Sequence, residues 1–288
     1  MKRYEATTRF LLPRRTYTVL RIDGRAFHTW TRGLEKPYDR EFMSYMDMAA
    51  IALCEEIAGA QFAYVQSDEI SVLAVDFLDI KTEPWFDGGV QKWASVGASI
   101  ATREFNVYVA SGYFGRMYDE EHDPGAAAEY SKIAKKAPDA TFDARVYTIP
   151  DLIEVENYFV WRQQDAERNS VAMLAQSYAS HKQLMGKKRA DQHEIIHAAG
   201  DNWAKHPVSF KHGRVVRRDP CKPLFPEGVS DAMVRAELQR ARELSKTSNW
   251  IVDKDTPVFT KNRTYLRDLV PVIWNNDLLI RKAAAGGE

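Results

Sequence analysis

The chain has 288 residues, of which 45% are apolar and 28% charged, and its 40 Lys and Arg balance 40 Asp and Glu. This is the composition of an ordinary soluble globular protein, long enough for one large domain or two smaller ones. The zero net charge excludes a global polyanion-binding surface, so any nucleic-acid contact must be a local patch. Two cysteines, Cys54 and Cys221, argue against a disulfide framework and for a reducing compartment. Met1 to Glu5 lacks the apolar core of a signal peptide, and no apolar run is long enough to span a bilayer. The expected location is cytoplasmic.

In chain order, Tyr17 to Ile22 is β-branched and aromatic, lies between Pro13 and Asp23-Gly24, and reads as a strand. Met43, Met46, Ala50, Leu53 and Ile57 recur at three- and four-residue spacing, which predicts a helix with one buried stripe, closed by Gly59. Phe62–Val65 and Ile70–Val75 read as two strands about the tight Ser67-Asp68-Glu69 connection. Val90–Val109 has few breakers and reads as a second long helix, and Ala144–Ile149 as a fourth strand ended by Pro150. The order β-α-β-β-α-β is that of a ferredoxin-like split unit. An α+β, palm-type catalytic domain is therefore expected over residues 1–150.

Residues 112–142 read as an insertion into that domain, partly helical at 126–136. From Asp151 the pattern becomes mainly helical through residue 288, with helices expected at Asn169–Met185 and Ala190–Ala199. A small hairpin is expected from Val208–Phe210 and Arg214–Val216 about His212-Gly213.

In a split unit the third strand pairs antiparallel with the first and second. The end of the first strand and the turn after the second then share one sheet edge, so Asp23 and Asp68 become neighbours despite their separation in sequence. Paired carboxylates at such an edge are the oxygen ligands that hard divalent cations take in phosphoryl and nucleotidyl transfer. Gly24 permits a sharp turn and offers its carbonyl as a further ligand. The amides of Arg25, Ala26, Phe27 and His28 are expected to face a triphosphate as a backbone nest. Arg21, Arg25, Lys36 and Lys92 are cationic candidates for phosphate oxygens.

Arg21-Ile22-Asp23-Gly24-Arg25-Ala26-Phe27-His28, Lys36-Pro37, Gln66-Ser67-Asp68-Glu69 and Trp161-Arg162-Gln163-Gln164-Asp165, in this order, closely resemble the histidine-tRNA guanylyltransferase family. Members of that family add nucleotides to the 5′ end of RNA in the 3′-to-5′ direction. The resemblance implies that Asp23, the Gly24 carbonyl and Asp68 hold two magnesium ions, with Glu69 close by as a catalytic carboxylate. It implies that Ser67, Lys36 and Lys92 bind triphosphate. It further implies that ATP adenylylates a 5′-monophosphate end, that the 3′-hydroxyl of an incoming nucleotide, GTP or another, displaces AMP, and that the chain forms a tetramer.

One segment departs from the pattern. Where the eukaryotic enzymes read His-Ile-Asn-Asn-Leu-Tyr-Asn, this chain reads Glu167-Arg168-Asn169-Ser170-Val171-Ala172-Met173. Asn169 alone survives of the asparagine pair and is carried over as an RNA-contacting candidate. The departure resembles the bacterial, archaeal and phage-type "like" proteins and favours template-dependent repair of tRNA 5′ ends over strict histidine-tRNA specificity.

Lys182 to Lys222 holds ten Lys and Arg against four Asp and Glu. It reads as a tRNA-backbone surface centred on Lys187, Lys188 and Arg189, with salt-sensitive binding. A zinc site at His193 and His197 has no supporting thiol. Two rival functions share the pattern: a nucleotide cyclase, which uses paired metal carboxylates without a polynucleotide, and a catalytically silent RNA-binding module, which would not need the Asp23/Asp68 pair.

Overall fold

The computed structural model describes residues 1–78, 80–119, 139–219 and 250–271. Strand β1 (Tyr17–Gly24) leads to helix α1 (Arg40–Glu56), then to strands β2 (Ala60–Gln66) and β3 (Glu69–Val75) and helix α2 (Val90–Asp119). Strand β4 (Phe142–Ile149), helix α3 (Leu152–Tyr178) and helix α4 (Arg189–Ala198) follow, then strands β5 (Arg214–Arg218) and β6 (Trp250–Asp253) and helix α5 (Arg263–Leu269). The antiparallel sheet has the order β4-β1-β3-β2-β5-β6. Its first four strands are the expected split βαββαβ unit, with each strand within two residues of its expected bounds.

Two expectations about the later chain are corrected. Val208–Lys211 is a helical turn rather than a strand. Its supposed partner, β5, instead pairs with β2, Val65 opposite Arg214 and Phe62 opposite Arg217, and β6 adds outside it. An open edge on β2 offers a full row of backbone partners, and a distant segment takes them in preference to a local hairpin. The expected helix Asn169–Met185 is divided. Its first part is the end of the longer α3, which Asp151 starts by accepting a hydrogen bond from the Glu154 amide at 2.9 Å. After an extended Ala179, a separate helical turn spans His181–Leu184. The helix expected to end at Val109 runs on to Asp119. The expected helical stretch at 126–136 lies outside the described residues.

The two faces of the sheet bury different things. Leu20, Ile22, Val65, Ile70 and Val72 face α1 and α2 in a largely apolar core, beside which Arg214 of β5 pairs with the buried Asp47 of α1. Helix α2 comes so close that a Cβ on Gly97 would lie 2.7 Å from Leu20 Cδ2, so glycine is needed there for space. The opposite face buries Tyr17, Val19, Phe62, Tyr64, Leu73 and Val75 against Phe159 of α3 and Leu266 of α5. Period-two alternation assigns Arg21, Asp23, Gln66, Glu69 and Ser71 to this second face. At about 25 cal/mol per Å² of apolar area, both faces stabilise the fold; the first buries the Arg214–Asp47 pair, whereas the second gathers Arg21, Glu69 and Arg162 at one end.

Candidate active site

The site begins at the β2–β3 connection, where only two residues separate the strands. Ser67 takes φ 46°, the left-handed backbone that two-residue hairpin turns demand. The turn is tied to β1 by the Gly24 amide, which donates to the Asp68 carbonyl at 3.0 Å. Asp23 stands opposite Glu69 on one side and Asp143 on the other. Gln66 stands opposite Glu69, so Gln66, Glu69, Asp23 and Asp143 form one cross-strand row on the α3 face. The expected meeting of Asp23 and Asp68 at one sheet edge is thus what the topology produces. Gly24 is required by its neighbour: a Cβ there would lie 2.4 Å from the Phe27 ring.

Burial holds the Asp68 carboxyl above its ordinary range, and the charge of Asp23 pushes the same way. A divalent cation between the two would relieve both penalties. The donors available to one are the carboxylates of Asp23 and Asp68 and the Gly24 carbonyl. Among the described residues no cluster of three or more His, Cys, Asp or Glu side chains is arranged to hold a metal ion. Two carboxylates nevertheless fit magnesium, which keeps several waters and takes only one or two acids from the protein.

Glu69 is a different kind of acid. It is 6% exposed, and its Oε2 accepts from Arg21 at 2.6 Å and from Arg162 at 3.2 Å. Burial raises its pKa while the two guanidiniums oppose the shift. Arg162, 2% exposed, also donates to Asp165 at 2.6 Å and stacks on Trp161 at 3.9 Å. Arg21 was expected among phosphate-binding cations, but the structure commits its charge to Glu69.

A cavity of about 490 Å³ opens beside the turn. Phe27, His28, Lys36, Ser67, Asp68 and Asn169 line it, so six of the residues expected from sequence meet at one place. Pro37, after a cis peptide bond, and the apolar side chains of Leu34, Phe42, Met43, Met173 and Phe210 add to its wall, as do the charged Arg32, Glu35, Asp39 and Arg214. Asp39 fixes the entry to α1 by accepting from the amides of Glu41 and Phe42 at 3.0 and 2.9 Å.

Other expected residues lie elsewhere. The Arg25 amide donates to Thr141 at 2.9 Å, which removes it from the expected nest; Arg25 and Ala26 are exposed, and Ala26 takes φ 56°. Lys92 is exposed on the first turn of α2. The Thr102 hydroxyl of that helix meets the Phe142 amide, opposite Gly24, at 3.2 Å. Ten residues at 1.5 Å each put Lys92 about 15 Å back along the axis, towards the far end of the sheet. Lys187, Lys188 and Arg189 are exposed at the start of α4, and Arg189 approaches Glu167 at 3.7 Å. Lys222, the end of the basic segment, lies outside the described residues.

Sequence reasoning gave no role to Asp143 or Arg162 in this arrangement. Asp143 opens β4 in a Phe-Asp-Ala run with no sequence signal of its own; only the register sets it beside Asp23. Arg162 lies in the Trp-Arg-Gln segment already singled out, but its partner Glu69 is 93 positions away.

Comparison with known proteins agrees with this geometry. The family model described as "Thg1: tRNAHis guanylyltransferase" matches residues 1–150. A bacterial tRNA(His) guanylyltransferase (Thg1)-like protein in complex with ATP superposes with a TM-score of 0.73 at 35% identity, covering 94% of this chain and 98% of that one. A bacterial Thg1-like protein in complex with GTP gives 0.66 at 32% identity over the same shares. The tRNA(His) guanylyltransferase of Neurospora crassa is 27% identical over 278 residues, 90% of this chain and 85% of its own. With the palm-type sheet, the Asp23/Asp68 edge and the adjoining cavity in place, the chain belongs to the Thg1 family of tRNA(His) guanylyltransferases, which are nucleotidyltransferases.

Proposed function

We propose that this protein extends the 5′ end of tRNA by nucleotide addition in the 3′-to-5′ direction, with Asp23 and Asp68 as the metal-binding carboxylates. The single observation that carries the reading is the Gly24–Asp68 hydrogen bond, which joins both acids at the mouth of the cavity. A nucleoside triphosphate is the occupant that fits: apolar walls take the base, and Ser67 and Lys36 meet the phosphates. Magnesium, when bound by Asp23, Asp68 and the Gly24 carbonyl, would neutralise charge on the attacking and leaving phosphate oxygens.

The chain's own residues supply the rest. Lys36 offers a cation to phosphate oxygens, and Ser67 a hydroxyl at a backbone position that only the hairpin turn fixes. Glu69, paired with Arg21 and Arg162, acts through position: it locks the turn and the end of β1 to α3 rather than touching phosphate. Activation by adenylylation, with displacement of AMP by the incoming 3′-hydroxyl, is the route we assign. Lys187, Lys188 and Arg189 serve the tRNA backbone, Asn169 the RNA end, and Lys92 would contribute only through another part of a homo-oligomer. The family resemblance favours a tetramer and a cytoplasmic setting; among the described residues no helix is long and apolar enough to cross a membrane.

Glu167 stands where the eukaryotic pattern has a histidine, and here it is engaged by His212 Nδ1 at 3.0 Å. With that motif absent, base pairing with the opposing strand is expected to choose the added nucleotide. The test is addition to a tRNA lacking its first 5′ nucleotide: the product should follow each change of the acceptor-strand partner. Addition of G whatever the partner would restore strict histidine-tRNA specificity.

A further inference from the structure

Gln66 belongs to the Gln-Ser-Asp-Glu segment, yet neither the carboxylate pair nor the phosphate contacts use it. It is 4% exposed and lines the cavity. Its Oε1 is buried without a hydrogen-bond partner. Its cross-strand neighbour does not help, because Glu69 Oε1 is likewise a buried acceptor without a donor. Buried polar atoms are nearly always satisfied, so an amide oxygen left this way at a cavity wall points to a donor supplied by the occupant. Beside charged residues such as Arg32, Asp39 and Arg214, the same cavity is lined by the apolar and aromatic Phe27, Phe42, Met43 and Phe210, which suit the flat face of a base.

We infer that Gln66 is a specificity-determining residue that accepts a hydrogen bond from the exocyclic amino group of adenine, making the cavity selective for an amino-bearing purine triphosphate. A glutamine side chain matches adenine in particular, because its oxygen accepts from N6 while its amide nitrogen donates to N7. Ser67, next in sequence but projecting from the turn, then meets the phosphates while Gln66 meets the base. The inference rests on the nucleotide reading of the cavity given above.

Calorimetric titration of the full chain in magnesium separates the two. ATP should bind about 5- to 10-fold tighter than purine riboside triphosphate, which differs from it only by lacking the amino group, as loss of one hydrogen bond implies. In Gln66→Leu that ratio should fall to within about twofold, with the affinity for inorganic triphosphate unchanged. Equal binding of ATP and purine riboside triphosphate by the natural chain overturns the inference without recourse to any variant. So does a ratio that survives in Gln66→Leu, or a loss in that variant that vanishes when 2′-deoxy-ATP replaces ATP, which would assign Gln66 to the ribose. Inorganic triphosphate that binds in all these cases leaves the nucleotide reading standing while Gln66 fails. If neither it nor ATP binds, the reading of the cavity falls and Gln66 falls with it.

Discussion

The two faces of the sheet are built on opposite principles. Towards α1 and α2 strands β1, β2 and β3 present Leu20, Ile22, Val65, Ile70 and Val72, and the charge on this side is a buried pair between Arg214 of β5 and Asp47 of α1. Towards α3 the same strands present Arg21, Asp23, Gln66 and Glu69 at one end, and Arg162 descends onto them from the helix. At β1, β2 and β3 the first face needs mainly volume and shape, which many sequences satisfy. The second needs particular partners, because a buried charge without one is strongly destabilising. The difference shows where this molecule keeps its chemistry: at the end of the face that gathers several charges around Glu69, with the more apolar face as backing.

The largest effect should come from the carboxylate pair. Asp23→Ala or Asp68→Ala should lower nucleotide addition by more than the ~10- to 100-fold lost with outer partners of metal ligands, with circular dichroism unchanged. Retained activity at saturating magnesium would remove the assignment. Asp68→Asn sharpens the point. A carboxyl held above its ordinary pKa by burial and by Asp23 gives its full stability in acid and loses it as pH rises through the folded value. Asparagine never ionises, so this variant should melt no lower than the natural chain at neutral pH while being inactive.

Next in size is the buried ion pair. Arg162→Ala should cost about 3 kcal/mol in denaturant unfolding, because Glu69 loses one of its two cations in the interior. Adding Glu69→Gln should recover part of that loss, which a packing role for Arg162 alone would not allow. On the other face, Leu20→Ala should cost about 2–4 kcal/mol by leaving a cavity, and no second substitution of charge should restore it. Rescue of Leu20→Ala by such a second substitution would remove the contrast.

The smallest effect should come from the surface. Charge reversal at Lys187 and Lys188 should weaken tRNA binding and lower the slope of log affinity against log salt by about one for each phosphate contact removed. Nucleotide affinity should not change. An unaltered slope would return these residues to an ordinary solvated helix start.

Local periodicity made the split unit legible. Six elements with clean two- or 3.6-residue patterning leave few topologies, and the one they adopt carries the end of β1 to the β2–β3 turn. Asp23 and Asp68 were therefore readable as neighbours. Lys36, Ser67 and Asn169 were readable by resemblance as ligand contacts and His28 as the end of a backbone nest, and the fold gathers them around one cavity. What could not be read was pairing at long range. Nothing local tells Arg214–Arg218 to complete the edge of β2, since its strand pattern fits a nearby hairpin equally well. The charge of Arg21 was readable as a cation but not as the partner of Glu69. The burial of Arg162, the register that sets Asp143 beside Asp23 and the orphaned oxygen of Gln66 are likewise properties of contact, not of composition. Within the split unit the sequence by itself determined which segments are strands and helices and which residue types stand at their ends, because those depend on neighbours a few positions away. Only the tertiary structure decided which charges are satisfied, which are left facing the cavity and which lie about a helix length from it, because burial and pairing arise between segments that the chain brings together only when folded.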